Sequence, residues 1–176
     1  AEDGAHELVA TDAAATDGDP AGVLDITDRD AVRSVIADVA PDHVIHPAAL
    51  TAVDLCESEV DLAYRVNAIG TRNIAEAARS VGASVLYVST DYVFDGTKEG
   101  PYLEWDRPNP QSVYGASKLA GERELDPGST VVRTSWVCGR YGQNMVKTIL
   151  RAAASNPELR FVDDQRGHPT FASDLA

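Results

Sequence analysis

The sequence has little cysteine and lysine and contains no long apolar segment. Its 176 residues include two cysteines, Cys56 and Cys138, and three lysines. Two cysteines so far apart predict reduced thiols rather than a disulfide framework or a cysteine-based metal site. No apolar run approaches the roughly 20 residues that span a bilayer, and residues 1–6 lack the basic and apolar regions of a signal peptide. These absences predict a cytoplasmic protein with no membrane association.

Positive charge is also scarce. Fifteen Lys and Arg residues stand against 28 Asp and Glu residues, which gives a net charge of −13. Such a charge disfavours binding to nucleic acid or to an anionic membrane surface. Arginine outnumbers lysine and aspartate outnumbers glutamate, as in proteins of salt-loving organisms. The four histidines are scattered without ligand spacing, so no metal site is predicted.

Hairpin signals are missing, and short apolar runs alternate with segments of helical period. The predicted strands are 7–12, 23–26, 43–46, 84–89, 130–135 and 159–162. Four helices are predicted. The first is capped near Thr27 and Asp30 and has an apolar stripe over 32–39, and the others are a long helix over 59–81, one around 114–118 and one over 144–155. Gly82 follows the long helix at the position that favours glycine. The pattern predicts an α/β fold with a doubly wound parallel sheet.

A tyrosine and a lysine four residues apart, Tyr114 and Lys118, lie on one face of the third predicted helix. A cation beside a phenol favours the phenolate and lowers the pKa of the tyrosine, which would suit it to acid–base chemistry. The spacing alone is common on solvated helices. Thr90 adds context, because it ends a buried strand, where open α/β sheets carry their chemistry.

Three motifs extend this context. They are Ser-Thr-Asp-Tyr-Val-Phe-Asp-Gly at 89–96, Val-Tyr-Gly-Ala-Ser-Lys-Leu-Ala-Gly-Glu at 113–122 and Arg-Thr-Ser-Trp-Val at 133–137. In this order they resemble the extended short-chain dehydrogenase/reductases, a Rossmann-like NAD(P)-binding family, and within it the enzymes that reduce dTDP-4-dehydrorhamnose. The resemblance runs from Leu8 to about Thr170.

The resemblance implies reduction of a dTDP-4-dehydro-6-deoxy sugar to dTDP-L-rhamnose by NADH or NADPH. Tyr114 would donate the proton, Lys118 would bind the nicotinamide ribose and lower the pKa of Tyr114, and Thr90 would hydrogen-bond the reacting oxygen. The implied substrate contacts are Thr90, Asp91, Tyr92 and Trp136. Residues 164–170 resemble the family's Asp-Gln-x-Gly-x-Pro-Thr, which borders the substrate pocket.

The resemblance also implies a set of cofactor contacts. These are Asp12, Asp25, Ile26, Ala48, Ala49, Leu50, Thr51, Asn67, Tyr114 and Lys118. Asp12 ends the first predicted strand, where an acid would accept hydrogen bonds from the adenosine ribose and repel a 2′-phosphate, so NADH is favoured. Two simpler interpretations stay open: Asp12 and Asp25 as turn residues, and Asn67 as a helix residue that bonds only neighbouring backbone.

No glycine-rich phosphate-binding turn occurs in the sequence, although a domain of this kind begins with one. Residues 1–176 are therefore expected to be an incomplete dinucleotide-binding domain, without its first strand and most of its substrate-binding portion. Another nucleotide-sugar epimerase, dehydratase or reductase is an alternative function. A non-catalytic subunit like that of methionine adenosyltransferase is a second alternative, and a homodimer is possible.

Overall fold

The computed structural model describes residues 6–14 and 22–176, and the chain divides into two compact units, Ala1–Val132 and Arg133–Ala176. The strands are β1 (Thr11–Asp12), β2 (Gly22–Val23), β3 (His43–His46), β4 (Ser84–Thr90), β5 (Thr130–Thr134), β6 (Val137–Cys138) and β7 (Thr170–Phe171). The helices are α1 (Arg29–Val39), α2 (Val53–Ser58), α3 (Val60–Tyr64), α4 (Thr71–Val81), α5 (Val113–Glu122), α6 (Met145–Ser155) and α7 (Ala172–Leu175), with a π-helical turn at Arg65–Gly70 and a 3₁₀ turn at Asp91–Val93.

The strand pairs whose register is resolved are parallel, as the alternating pattern predicts. β1 pairs with β2, and β3 pairs with β4 from His43 opposite Ser84 to His46 opposite Tyr87. β5 continues that sheet in the order β3-β4-β5. Because β3 and β4 are parallel, the loop after His46 and the chain after Thr90 leave the sheet at the same edge.

The cap of helix α1 lies one residue later than predicted. The cap is Asp28, whose carboxylate accepts the N–H groups of Asp30 and Ala31. The N–H of Thr27 is held by Asp25 Oδ1 at 2.8 Å in the turn that precedes the cap. The apolar stripe of α1 packs against α4 in a core that contains Leu24, Val32, Ile36, Ile74 and Ala77.

The segment predicted as one long helix is helical but is not one regular helix. α3 runs into the π-helical turn Arg65–Gly70, which continues directly into α4. Gly82 ends α4 with a φ of 79°, as predicted. The π-helical turn contains Asn67 and Gly70, both buried, and such turns are frequent at functional sites. Helix α2, before this segment, is not predicted by the sequence pattern.

The second unit contains β6, β7, α6 and α7. The predicted helix at 144–155 is confirmed, with Asn144 Oδ1 accepting the N–H of Lys147 at 3.1 Å. The predicted strand at 159–162 is wrong, because this stretch forms no ladder among the described residues and leaves Phe161 59% and Val162 67% exposed. The strand instead forms at β7, which pairs with β6.

Across residues 6–14 and 22–176, none of the helices is long and apolar enough to span a membrane.

Candidate active site

Thr90, Asp91, Tyr92 and Tyr114 come together where β4 meets α5. Thr90 Oγ1 accepts the N–H of Tyr92 at 3.2 Å and donates to Asp91 Oδ1 at 3.2 Å. The rings of Tyr92 and Tyr114 lie edge to face, with centroids 5.6 Å apart. The Thr90 side chain also acts to lower the pKa of the Tyr114 phenol, against the rise caused by burial. A threonine hydroxyl and a phenol are therefore neighbours at the carboxyl end of the sheet.

The phenol of Tyr114 is protonated at neutral pH. Burial raises its pKa, the Thr90 hydrogen bond opposes that rise, and the nearby Asp91 and Cys56 add to it. The sequence predicted that Lys118 lowers the pKa of Tyr114, but in this structure the pKa is raised. Desolvation outweighs the favourable contacts, so the proton stays on Tyr114.

Lys118 is directed toward the sheet. Its side chain is 1% exposed, and Nζ donates to the carbonyl of Val88 at 2.7 Å. The same nitrogen lies 4.0 Å from the ring centroid of Tyr87, a cation–π contact. Burial lowers the pKa of Lys118 to about 7, with Glu122 opposing. The ammonium is thus held by a carbonyl and an aromatic face within the first unit.

A buried polar group lies behind Lys118. His46 Nε2 is 3.1 Å from Thr71 Oγ1, and Thr71 donates its proton to the carbonyl of Asn67 at 2.8 Å. Thr71 must therefore accept from His46, which places the imidazole proton on Nε2. Burial, and then the charge of Lys118, lower the pKa of His46 to about 3, so the ring is neutral.

Asn67 connects the loop after β3 to helix α5. Its Oδ1 accepts the N–H of Leu50 at 2.7 Å, and its Nδ2 donates to the Leu50 carbonyl at 3.1 Å and to Ser117 Oγ at 2.9 Å. Ser117 in turn donates to the carbonyl of Tyr114 at 2.8 Å. The simpler interpretation, bonds to neighbouring backbone only, is wrong. Both amide N–H groups are used within the protein, so Asn67 supports the loop instead of offering donors to a ligand.

The other predicted cofactor residues lie at the ends of the first strands and in the loop after β3. Asp12 is exposed and accepts the N–H of Ala14 at 3.2 Å. Asp25 is exposed, and its backbone and side-chain hydrogen bonds with Thr27 lower its pKa. Ile26 is half-buried, and its carbonyl accepts from Asn73 at 2.9 Å. In the loop, Ala48 and Thr51 are exposed and Ala49 and Leu50 are half-buried.

Four further residues shape this site and were not found by sequence reasoning. A Cβ on Gly115 would lie 2.2 Å from the carbonyl oxygen of Tyr92, and one on Gly121 would lie 2.3 Å from that of Asn67. Glu57 accepts the N–H of Val113 at the start of α5, and Ser117, within α5, accepts from Asn67. Two glycines inside one helix are a signal that could have been used, because each costs about 1 kcal/mol relative to alanine and usually has a packing reason.

We expect Gly115→Ala to lower kcat by about 10- to 100-fold, because the new Cβ forces α5 away from the turn at Tyr92 and misplaces Tyr114. Gly128→Ala is the matched control, since a Cβ there meets nothing within 4 Å. Steady-state kinetics of both variants in the full-length protein test this. Equal kcat values for the two variants would contradict the close approach.

In the second unit, Trp136 has a φ of 45°, rare for a non-glycine residue, and is 39% exposed. A Cβ on Gly167 would come within 3.1 Å of its indole. Ser135 Oγ donates to the His168 carbonyl at 2.7 Å. The two motifs of this unit, 133–137 and 164–170, therefore pack together around the indole of Trp136, which stays partly exposed. Strained backbone of this kind is frequent at ligand sites.

No group of three or more His, Cys, Asp or Glu side chains that could hold a metal ion occurs in the described part of the chain.

Comparison with known proteins assigns the chain to a family. The model of the RmlD substrate binding domain matches residues 2–176. A dTDP-4-dehydrorhamnose reductase of Sinorhizobium fredii is 52% identical over 156 residues, covering 87% of this chain and 53% of that protein. The spore coat polysaccharide biosynthesis protein SpsK of Bacillus subtilis is 44% identical over 157 residues, covering 88% and 56%. The chain thus spans about half the length of the curated relatives it matches.

Solved structures agree. The dTDP-4-dehydrorhamnose reductase of Bacillus anthracis in complex with NADP superposes with a TM-score of 0.82 at 47% identity, covering 86% of this chain and 55% of that one. The Clostridium acetobutylicum orthologue also gives 0.82, at 46% identity, covering 90% and 60%. The chain therefore belongs to the RmlD substrate binding domain family, the dTDP-4-dehydrorhamnose reductase group of the extended short-chain dehydrogenase/reductases, and has their Rossmann-like α/β fold.

Proposed function

We propose that the full-length protein reduces dTDP-4-dehydro-6-deoxy-L-mannose (dTDP-4-dehydrorhamnose) to dTDP-L-rhamnose with NADH or NADPH. The observation that carries this is the protonated Tyr114 beside Thr90 at the carboxyl end of β4, with Lys118 one helical turn further along α5. Relatives at 52% and 49% identity bear the name of this reductase.

Reduction of a ketone needs a proton donor at the oxygen, and Tyr114 fits that role. Burial keeps its pKa raised, so the donor form predominates at neutral pH. A bound nicotinamide would supply the hydride. As the oxygen gains charge, the phenol proton moves from Tyr114 to it, and a positioned hydroxyl stabilises the developing anion.

Thr90 is proposed as that hydroxyl. Its proton is donated to Asp91 Oδ1, and its oxygen accepts the N–H of Tyr92. The Tyr92 bond fixes the position of Oγ1, while rotation of the hydroxyl would turn the proton from Asp91 to the substrate oxygen.

The residues proposed to hold the nicotinamide cofactor fit a flat, polar ligand. Asp12 offers an exposed carboxylate for the adenosine ribose, and Ala48 and Ala49 are small enough for close approach. Lys118 has further ammonium donors besides the one on Val88, but it is 1% exposed, so contact with a ribose hydroxyl requires its side chain to turn from this position. Asp91, Tyr92 and Trp136 are proposed substrate contacts. A homodimer and a cytoplasmic location stay predictions.

Spectrophotometric oxidation of NADH or NADPH by the full-length protein, dependent on dTDP-4-dehydrorhamnose, tests the proposal. Formation of dTDP-L-rhamnose is the expected result. An epimerase or dehydratase would convert the sugar without net consumption of the reduced cofactor. A non-catalytic subunit would give no turnover with either cofactor. Each of these results would overturn the proposal.

Asp12→Ala is expected to reduce the preference for NADH over NADPH by about tenfold, because it removes repulsion of the 2′-phosphate. The ratio of kcat/KM values for the two cofactors measures this. Asp38→Ala removes the same charge from an exposed position on α1 and serves as the control. A wild-type enzyme that already prefers NADPH would show that Asp12 does not repel the 2′-phosphate, either because its carboxylate points away from the ribose or because a basic neighbour neutralises it.

A further inference from the structure

We infer that Glu57 is a positioning residue for Tyr114, because its carboxylate joins α2 to the first turn of α5. Glu57 Oε1 accepts the backbone N–H of Val113 at 2.8 Å, across 56 residues of sequence. Val113 is the first residue of α5 and directly precedes Tyr114. The backbone that carries the proposed proton donor is thus held by a side chain from another element.

The first turn of a helix has N–H groups without intrahelical partners. In α5 two of these are satisfied in different ways. Ser112 Oγ accepts the N–H of Gly115 at 3.1 Å as a local cap. Glu57 accepts the N–H of Val113 from outside the helix, and its negative charge also suits a helix N-terminus. Ser112 therefore holds the shape of the turn, whereas Glu57 fixes where the turn lies relative to α2.

A second connection makes this attachment firm. Leu50, at the start of the segment that leads into α2, is bound through both backbone groups to Asn67, which also donates to Ser117 on α5. Cys56 Sγ lies 3.7 Å from the carbonyl of Leu50 and closes the segment on itself. Segment 50–57 is therefore connected to α5 both before and after Tyr114.

This arrangement gives Glu57 a role beyond stability. The connections at Val113 and Ser117 fix the position of α5, which carries Tyr114, relative to the loop after β3. That loop is proposed above to approach the cofactor. Loss of the Val113 connection would let the start of α5 shift while the Ser117 connection remains. Because misplacement by about 1 Å can cost up to about 100-fold in rate, kcat should fall more than substrate binding.

The test rests on the proposed reductase function and uses the full-length protein. Glu57→Ala is expected to lower kcat about tenfold with KM changed less than about twofold, since turnover depends on the position of Tyr114. Glu57→Gln keeps an oxygen that can accept the Val113 N–H and should restore most of the activity. Ser112→Ala removes one capping bond from the same turn without touching α2 and should keep kcat near the wild-type value.

Hydrogen exchange of the backbone over residues 113–118 separates the two proposals. Glu57→Ala should exchange faster there than Glu57→Gln in the cofactor-bound protein. If the wild type turns over, equal kcat values for Glu57→Ala and Ser112→Ala, or a Glu57→Gln variant as slow as Glu57→Ala, overturn the positioning role. If the wild type does not turn over, the reductase function fails, and unchanged exchange in Glu57→Ala would then overturn the Glu57 connection independently.

Discussion

Tyr114→Phe is expected to lower kcat by about 100-fold or more, which is the usual effect of losing a general acid. Cofactor affinity should stay unchanged. The ring keeps its edge-to-face contact with Tyr92, so the packing of α5 survives while the proton donor is lost. Steady-state kinetics, with cofactor affinity from calorimetry, give both quantities. Tyr64→Phe, which removes a phenol that is 38% exposed on α3, is the control.

An unchanged kcat in Tyr114→Phe would show that Tyr114 is not the proton donor. A parallel loss of cofactor affinity would instead indicate that the phenol serves binding, because an interaction made only in the transition state lowers kcat without weakening the ground-state complex.

Lys118→Met is expected to lower kcat by about 100-fold and, unlike the tyrosine substitution, to weaken cofactor binding by about tenfold, because the ammonium is the proposed contact that holds the nicotinamide ribose in position. Methionine keeps an unbranched apolar stem against the Tyr87 ring, which limits the loss of packing. Calorimetric titration with the reduced cofactor is the measurement. Lys98→Met deletes a lysine from the loop ion pair with Asp106 and should bind cofactor normally. Wild-type affinity in Lys118→Met would exclude the ribose contact.

The same variant should alter how the stability of the cofactor-free protein depends on pH. Burial lowers the pKa of Lys118 from 10.5 to about 7. Between these values the unfolded chain binds more protons than the folded one, so the free energy of unfolding rises with pH across this window. Lys118→Met should lose that rise between about pH 7 and 9. Burial raises the pKa of both Tyr87 and Tyr114, so neither phenol contributes there. Urea unfolding measures this free energy at each pH. If it rises as steeply with pH in Lys118→Met as in the wild type, Lys118 is not the group responsible.

Local sequence signals determined most of the elements and indicated the candidate site residues. Alternating periods predicted the parallel α/β fold, Gly82 marked the end of α4, and Asn144 preceded α6. The strand-end position of Thr90 and the helical spacing of Tyr114 and Lys118 also depend only on nearby residues. Each of these features follows from backbone geometry over a few residues, so the sequence could specify it alone.

Contacts between distant segments were decided by the tertiary structure. The Asn67 and Glu57 bonds join residues 17 to 56 positions apart, which no local pattern encodes. The apolar run at 159–162 has strand character but finds no ladder partner among the described residues. Spacing predicted that Lys118 lowers the pKa of Tyr114, yet burial raises it while Lys118 bonds to Val88. Whether a charge or a buried environment dominates depends on which atoms surround the group, and only the folded chain fixes those neighbours.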